Sequence, residues 1–239
     1  MPQSLELSHN ADLYFSGNPY EKENLIMGEH YAALVLEYAK DASRFLELGI
    51  GFGRTVALLS HHFSELSVMD AEPRLIAEFK NRHPSVTFIE KFFQEYQTDQ
   101  RFGGIGIGFV LDLVDDPLAM LQRYSGFLVP GGQLYVCIEN AASLHRQIAH
   151  IAGLLPNLRK MSEFNAAYGH RCFNTHDDWL SLFENAKLKV VASHGLYLKP
   201  FSTRQLDALA LDESVYMALS RISRNMPEIA NACFYVLEP

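Results

Sequence analysis

An α/β fold built on a mostly parallel sheet is predicted by three observations. Between residues 44 and 139, apolar runs of strand length alternate with amphipathic segments of helix length, the rhythm of right-handed βαβ units with helices on both sheet faces. The first run opens directly into three glycines spaced by two and then a helix-like segment, a turn that lets backbone approach a nucleotide-like ligand and presents a helix N-terminus to it. Finally, 239 residues, 48% of them hydrophobic, suffice for one large domain with a well-buried core.

In chain order, Leu25, Ile26, Tyr31, Ala32, Leu34, Val35 and Tyr38 recur at helical spacing and predict a helix over Glu21–Asp41, after a turn at Gly17–Tyr20. Strands are expected at Arg44–Leu48, Leu66–Asp70, Val86–Ile89, Ile105–Val110 and Gln133–Glu139. Helices are expected at Arg54–His61, Pro73–Asn81 and Pro117–Phe127, the last closed by the turn Val129-Pro-Gly-Gly132. Roughly forty residues then interrupt the rhythm, a length usual for functional insertions, with Ser143–Leu154 helical inside it. Helix Trp179–Asn185, strand Lys187–Leu196, one or two helices over Thr203–Ser223 and a closing strand Ala232–Leu237 complete a count of seven strands. Gly104-Ile-Gly-Ile-Gly108 has no helix start close behind it, so those glycines are read as close packing within a strand.

Composition excludes several classes. No run approaches the roughly 18 apolar residues of a membrane helix, and Met1–Asn10 lacks the basic start and apolar core of a signal peptide. Three cysteines without metal or redox spacing point to a reduced, cytoplasmic setting. A net charge of -8 argues against a nucleic-acid partner. Neither His61-His62 nor His176-Asp-Asp178 provides ligand spacing, so no metal is expected. The charge is uneven, however: residues 141–175 hold Arg146, Arg159, Lys160 and Arg171 against the single acid Glu163, which suggests an anion handled locally or a solvated basic loop.

Glu47-Leu-Gly49-Ile-Gly51-Phe-Gly53 places Arg54 where the third glycine of a dinucleotide turn would stand. This E-x-G-x-G-x-G resembles motif I of the class I S-adenosylmethionine-dependent methyltransferases, and the chain is similar to their ubiquinone-pathway-type domain. Val110-Leu-Asp-Leu-Val-Asp-Asp-Pro117 and Leu128-Val-Pro-Gly-Gly132 resemble later family motifs, although Gly103 replaces a usual aspartate and Leu113 a histidine. The resemblance covers about residues 43 to 205. It implies a Rossmann-like seven-stranded, mostly parallel sheet, helices on both faces, and a lid insertion after the fifth strand.

The resemblance also implies S-adenosylmethionine as cofactor and S-adenosylhomocysteine as product, held by Glu47, Gly49, Gly51 and Gly53. Asp70, at the end of the second strand with Ala71 behind it, would accept the ribose hydroxyls. Glu72 is the alternative, and either carboxylate could instead cap the next helix. Phe92 or Phe93 would pack on adenine, and Leu111 and Asp112 would lie toward the methionine end.

Methyl transfer from such a cofactor requires an aligned nucleophile and, for oxygen or ammonium, a base. His145 and His170, each followed by arginine in the basic insertion, are the candidates. Tyr14, Tyr20, Asn140, Arg146, Arg171 and Lys199 are expected on the substrate side, the cations holding a phosphate or carboxylate of a small, sugar-like or natural-product-like acceptor.

The expected organisation is one domain: an N-terminal lid and helix at 1–41, a cofactor core at 42–140, a substrate lid at 141–178 and the remaining sheet at 179–239, acting as monomer or homodimer. A nicotinamide-dependent oxidoreductase and a non-catalytic S-adenosylmethionine-binding module are the alternatives.

Overall fold

The computed structural model describes residues 12, 14, 15, 18–40 and 43–239. The start of the turn expected at Gly17 and the expected helix end at Asp41 lie outside them. Helix α1 (Glu21–Tyr38) leads into β1 (Arg44–Leu48), α2 (Arg54–Leu59), β2 (Glu65–Asp70), α3 (Pro73–Arg82) and β3 (Thr87–Glu90). A 3₁₀ turn at Phe93–Glu95 precedes β4 (Phe102–Gly108), α4 (Pro117–Ser125) and β5 (Leu128–Glu139). The insertion then carries α5 (Leu144–Ile151) and α6 (Glu163–Ala167). It is followed by α7 (His176–Asn185), β6 (Lys189–Leu196), α8 (Thr203–Ala208), α9 (Glu213–Ser223) and β7 (Ala232–Glu238).

The seven strands form one sheet in the order β3-β2-β1-β4-β5-β7-β6. The first five are parallel, and β7 runs antiparallel between β5 and β6. Strand alternation divides the core in two. Phe45, Tyr135 and Cys137 face a layer with Met27, Tyr31, Val35 and Val56, whereas Leu46, Leu48, Val136 and Ile138 face Leu121, Tyr124, Trp179 and Phe183. Both faces are therefore covered, as a parallel sheet requires. Local chemistry fixes the helix starts: Asp116 accepts from Ala119 N ahead of Pro117, and Thr175 and Asp178 form a capping box.

Two boundaries differ instructively from expectation. The Val129-Pro-Gly-Gly132 segment belongs to β5, because Leu128 already pairs with Phe102; the extra residues are taken up by a register shift between Phe102 and Gly104. Helix α6 was not predicted, being five residues long and too short for periodicity to register.

The glycines of β4 make room for their neighbours. A Cβ at Gly106 would stand 1.9 Å from Glu47 Oε2 and 2.4 Å from Tyr31 Oη. Tyr31 descends from α1 to donate its hydroxyl to Glu47 at 3.0 Å, so the missing side chain on β4 is what lets α1 lie on the sheet. Gly106→Ala is expected to cost about 1–3 kcal/mol through overpacking, read as a lower urea midpoint with unchanged slope.

Candidate functional site

A cavity of about 490 Å³ opens at the carboxyl ends of β1, β2, β4 and β5. The connections diverge between β1 and β4, the switch point where ligands of open α/β sheets bind. The turn after β1 forms its floor, with φ of 89°, 55° and 74° at Gly49, Gly51 and Gly53. The last two glycines differ in purpose. A Cβ at Gly51 would meet open space, leaving clearance for a ligand, whereas one at Gly53 would stand 1.8 Å from Phe79 and push α3 off α2. Helix α2 itself ends at Leu59, short of the expected His61.

Carboxylates end the strands around this floor. Asp70 Oδ2 accepts from Ile50 N at 3.0 Å and Oδ1 from Glu72 N at 2.9 Å. Burial pushes its pKa up, and the backbone amides of Ile50, Glu72 and Ala71 pull it back. Both oxygens are thereby aimed, and each keeps a lone pair for a ligand hydroxyl. Glu72 also lines the cavity but caps α3 and binds Arg74 at 2.9 Å. Glu47 is held up to about 8 by burial, which the Tyr31 hydrogen bond opposes. Of the other residues expected at this end, Phe93 lines the cavity. Gly53, Ala71, Phe92 and Leu111 are not part of the lining, and Leu111 lies wholly in the core.

The opposite end is built from three separate segments. His170 Nδ1 lies 2.7 Å from Asp112 Oδ2, an ion-pair contact without hydrogen-bond geometry. Asp112, Glu139 and His170 bring ligating atoms within 4.8 Å of one another, a set of the kind that can hold a metal ion; no spacing along the sequence announces it. Burial works against a charged His170, but the close carboxylate of Asp112, with the charge of Glu139, outweighs it and raises its pKa. The pKa of Glu139, which accepts from Asn165 Nδ2 at 2.9 Å, is raised chiefly by burial. His145 goes the other way, down to about 3, through burial and then the charges of Lys199 and Arg146. It is neutral, and a very weak base, at ordinary pH.

The cations expected to bind an anion have other partners. Lys199, 4% exposed, donates to Glu23 Oε2 and Thr203 Oγ1, each at 2.6 Å. Arg146 donates to the carbonyls of Ala141, Leu158 and Lys160 and lies over the Phe173 ring. Arg171 is outside the lining, 3.5 Å from Asp115. Asn140 donates to the carbonyls of Pro227, Glu228 and Ala230 and accepts from Ala142 N, tying the insertion to the loop before β7.

Aromatic rings from before α1 and from the insertion meet at the cavity. Tyr14 makes edge contacts with Phe52 and Tyr168, and Tyr20 with Phe164 of α6. Both tyrosines line the cavity. Glu23, Glu139, Phe164 and Tyr168 were missed by sequence reasoning. Only Glu139 carries a signal that could have found it, an acid closing a strand as Asp70 does and Glu47 nearly does.

A family model described as "Methyltransferase domain" matches residues 24–193. The chain belongs to that family. Membership decides against the oxidoreductase alternative. The methyltransferase gives no match among curated proteins at the sequence level, but its fold has many counterparts. The N-methyltransferase NodS from Bradyrhizobium japonicum, in complex with S-adenosylhomocysteine, aligns with TM-score 0.61 and 14% identity over 97% of this chain and 96% of that one. The CcbJ methyltransferase from Streptomyces caelestis gives 0.62 and 15% over 95% of each. The DhpI-SAM-HEP complex gives 0.61 and 13% over 100% and 96%. The seven-stranded, mostly parallel Rossmann-like fold of the sequence reading is thus the observed one. Among the described residues, no helix is long and apolar enough to cross a membrane.

Glu47 makes stability depend on pH. Its folded pKa of about 8 exceeds the ordinary 4.5, so between these values the native state binds more protons than the unfolded chain, and stability falls as pH rises. Glu47→Gln is expected to flatten that decline, which one such group can make as steep as about 1.4 kcal/mol per pH unit. Urea denaturation from pH 5 to 8 measures it.

Proposed function

We propose that this methyltransferase moves a methyl group from S-adenosylmethionine to a nitrogen or oxygen of a small molecule bound between β4, β5 and the insertion. One observation carries the reading: a single cavity has a glycine turn with an aimed strand-end carboxylate at one end and an imidazole–carboxylate pair at the other. The residues fit the donor. Gly51 leaves space where a Cβ would intrude, Asp70 keeps lone pairs for ribose hydroxyls, Phe93 offers a ring to adenine, and the buried Glu47 lacks a cation that an α-ammonium would supply. NodS bound to S-adenosylhomocysteine and DhpI with SAM are in keeping with this choice. Bound S-adenosylmethionine supplies an electrophilic methyl carbon; the acceptor's lone pair forms the new bond, the carbon–sulfur bond breaks, and its electrons stay on the sulfur of S-adenosylhomocysteine.

The chain's own part is to position the acceptor and take its proton. Asp112 close to Nδ1 of His170 favours the tautomer protonated there and leaves Nε2 as the basic nitrogen. Asp112 is then a positioning residue and His170 the base, in preference to His145, whose low basicity suits it poorly. The aromatic contacts of Tyr14 and Tyr20 with the insertion exclude water from the reacting centre. The whole chain works in this reading as one domain, residues 42–140 holding the donor and 141–178 closing on the acceptor. A small anionic acceptor, expected from the basic insertion, is not favoured, because Lys199 and Arg146 are already engaged.

Calorimetry should show S-adenosylhomocysteine binding, weakened roughly ten- to a hundredfold by Asp70→Ala as charge-assisted hydrogen bonds are lost. Absence of binding by the wild-type protein would sink the reading. His170 must be neutral to accept a proton and its pKa is raised above 6.5, so kcat/KM is expected to rise with pH through that raised value. In Asp112→Asn the inflection should move to lower pH, because burial then acts on the imidazole with less opposition. His170→Ala should lower kcat by about 10²–10⁴; an unchanged pH profile in that variant would remove the base from His170.

A further inference from the structure

The acceptor end of the cavity is short of hydrogen-bond donors and rich in acceptors. Asp112 Oδ1 and Glu23 Oε1 are buried without a partner, on residues only 2% and 3% exposed, and both residues line the cavity. Glu139 faces the same space and receives one hydrogen bond, from Asn165. The cations nearby do not make up the difference. Lys199 serves Glu23 and Thr203, Arg146 serves three carbonyls, and Arg204 is exposed at the rim. Buried acceptors left unpaired are costly, and carboxylates the more so. The missing donors are therefore to come from the ligand.

Aromatic faces stand beside these carboxylates. Tyr20 and Phe164 meet at 4.9 Å, Phe164 stacks on Tyr168 at 5.9 Å, and Tyr168 tilts against His170 at 5.8 Å. Carboxylates flanked by aromatic rings match a cation on an apolar body: the charge is neutralised, each N–H finds an acceptor, and the rings add their own attraction. A carboxylate or phosphate ligand would add negative charge and bring no donors. A neutral alcohol brings one donor and no charge.

Resting on the proposed methyl transfer, we propose that the acceptor is a primary or secondary amine with an apolar body, held as its ammonium between Glu139 and Asp112, beside His170. Glu139 and Asp112 accept the ammonium N–H groups; one N–H proton passes to Nε2 of His170, and the freed lone pair makes the nitrogen a nucleophile. Glu23 and Lys199 close the far wall as a neutral pair.

The test uses the full-length protein first saturated with S-adenosylhomocysteine, and three probes of one carbon frame: 2-phenylethylamine, 2-phenylethanol and phenylacetate. Calorimetry is expected to show the amine binding at least tenfold more tightly than either other probe. Glu139→Gln, which keeps an acceptor for Asn165 and removes the charge, should erase at least tenfold of that preference while S-adenosylhomocysteine binds as in the wild type. An equal response to the three probes, including no response to any, overturns the proposal, as does preference for the acid. Binding of Mn²⁺ that disappears in Glu139→Gln also overturns it, since the carboxylates would then serve a metal ion. Failure of S-adenosylhomocysteine to bind at all would instead strike the methyl-transfer reading, so the two failures are distinct.

Discussion

Carboxylates gathered at one end of a parallel sheet, away from bulk water, are the constraint on which the rest of the structure depends. Glu47 and Asp70 lie at the ends of β1 and β2, Asp112 follows β4, and Glu139 closes β5. Like charges in such a place repel and lose hydration, so each needs a local remedy. The fold provides four different ones: a tyrosine hydroxyl for Glu47, backbone amides for Asp70, an imidazole for Asp112 and a side-chain amide for Glu139. None is a full countercharge except His170 when protonated. In the proposed reading the cavity is matched to cationic ligands at both ends, a sulfonium donor carrying an α-ammonium group at one and an ammonium acceptor at the other.

The remedies explain features of the scaffold that look unrelated to chemistry. Tyr31 reaches Glu47 only because Gly106 has no side chain, and that same contact seats α1 on the sheet. Asn140 holds the first turn of the insertion to the loop before β7 with three carbonyl contacts, which fixes where α5 begins and where His145 sits. At the mouth, Phe109 takes a φ of 57°, a conformation unfavourable for an aromatic residue, and it also lines the cavity. Backbone strain and buried charge are thus concentrated at the same rim.

The glycine-turn end of the cavity was legible in the sequence because its parts are local. A strand, its glycine turn and the acid closing the next strand are read within a few dozen residues, and their geometry follows from backbone preferences. The opposite end was not, because its pairs form across the chain. Lys199 meets Glu23 at a separation of 176 residues, and His170 meets Asp112 only after the insertion folds back. The strand boundary at Leu128 was missed for a related reason: Pro and two glycines read as a turn by composition, but pairing with Phe102 holds them in β5. Tertiary pairing overrode local signal there.

The basic insertion shows how a charge count along a sequence differs from the count of donors left free in the fold. Counted as charges, Arg146, Arg159, Lys160 and Arg171 describe an anion site. Counted as hydrogen-bond donors, they describe an insertion that braces itself: Arg146 clamps the carbonyls of Leu158 and Lys160, and Arg159 forms a forked pair with Asp178 at 2.9 and 2.8 Å. The Arg159 pair is exposed and contributes little to stability by itself, but together with Arg146 it ties the loop between α5 and α6 at two points. Holding that loop places α6 where Phe164 can meet Tyr20. The positive charge of the insertion is therefore spent on setting the position of an aromatic wall, and the carboxylates of Asp112 and Glu139 line the same cavity.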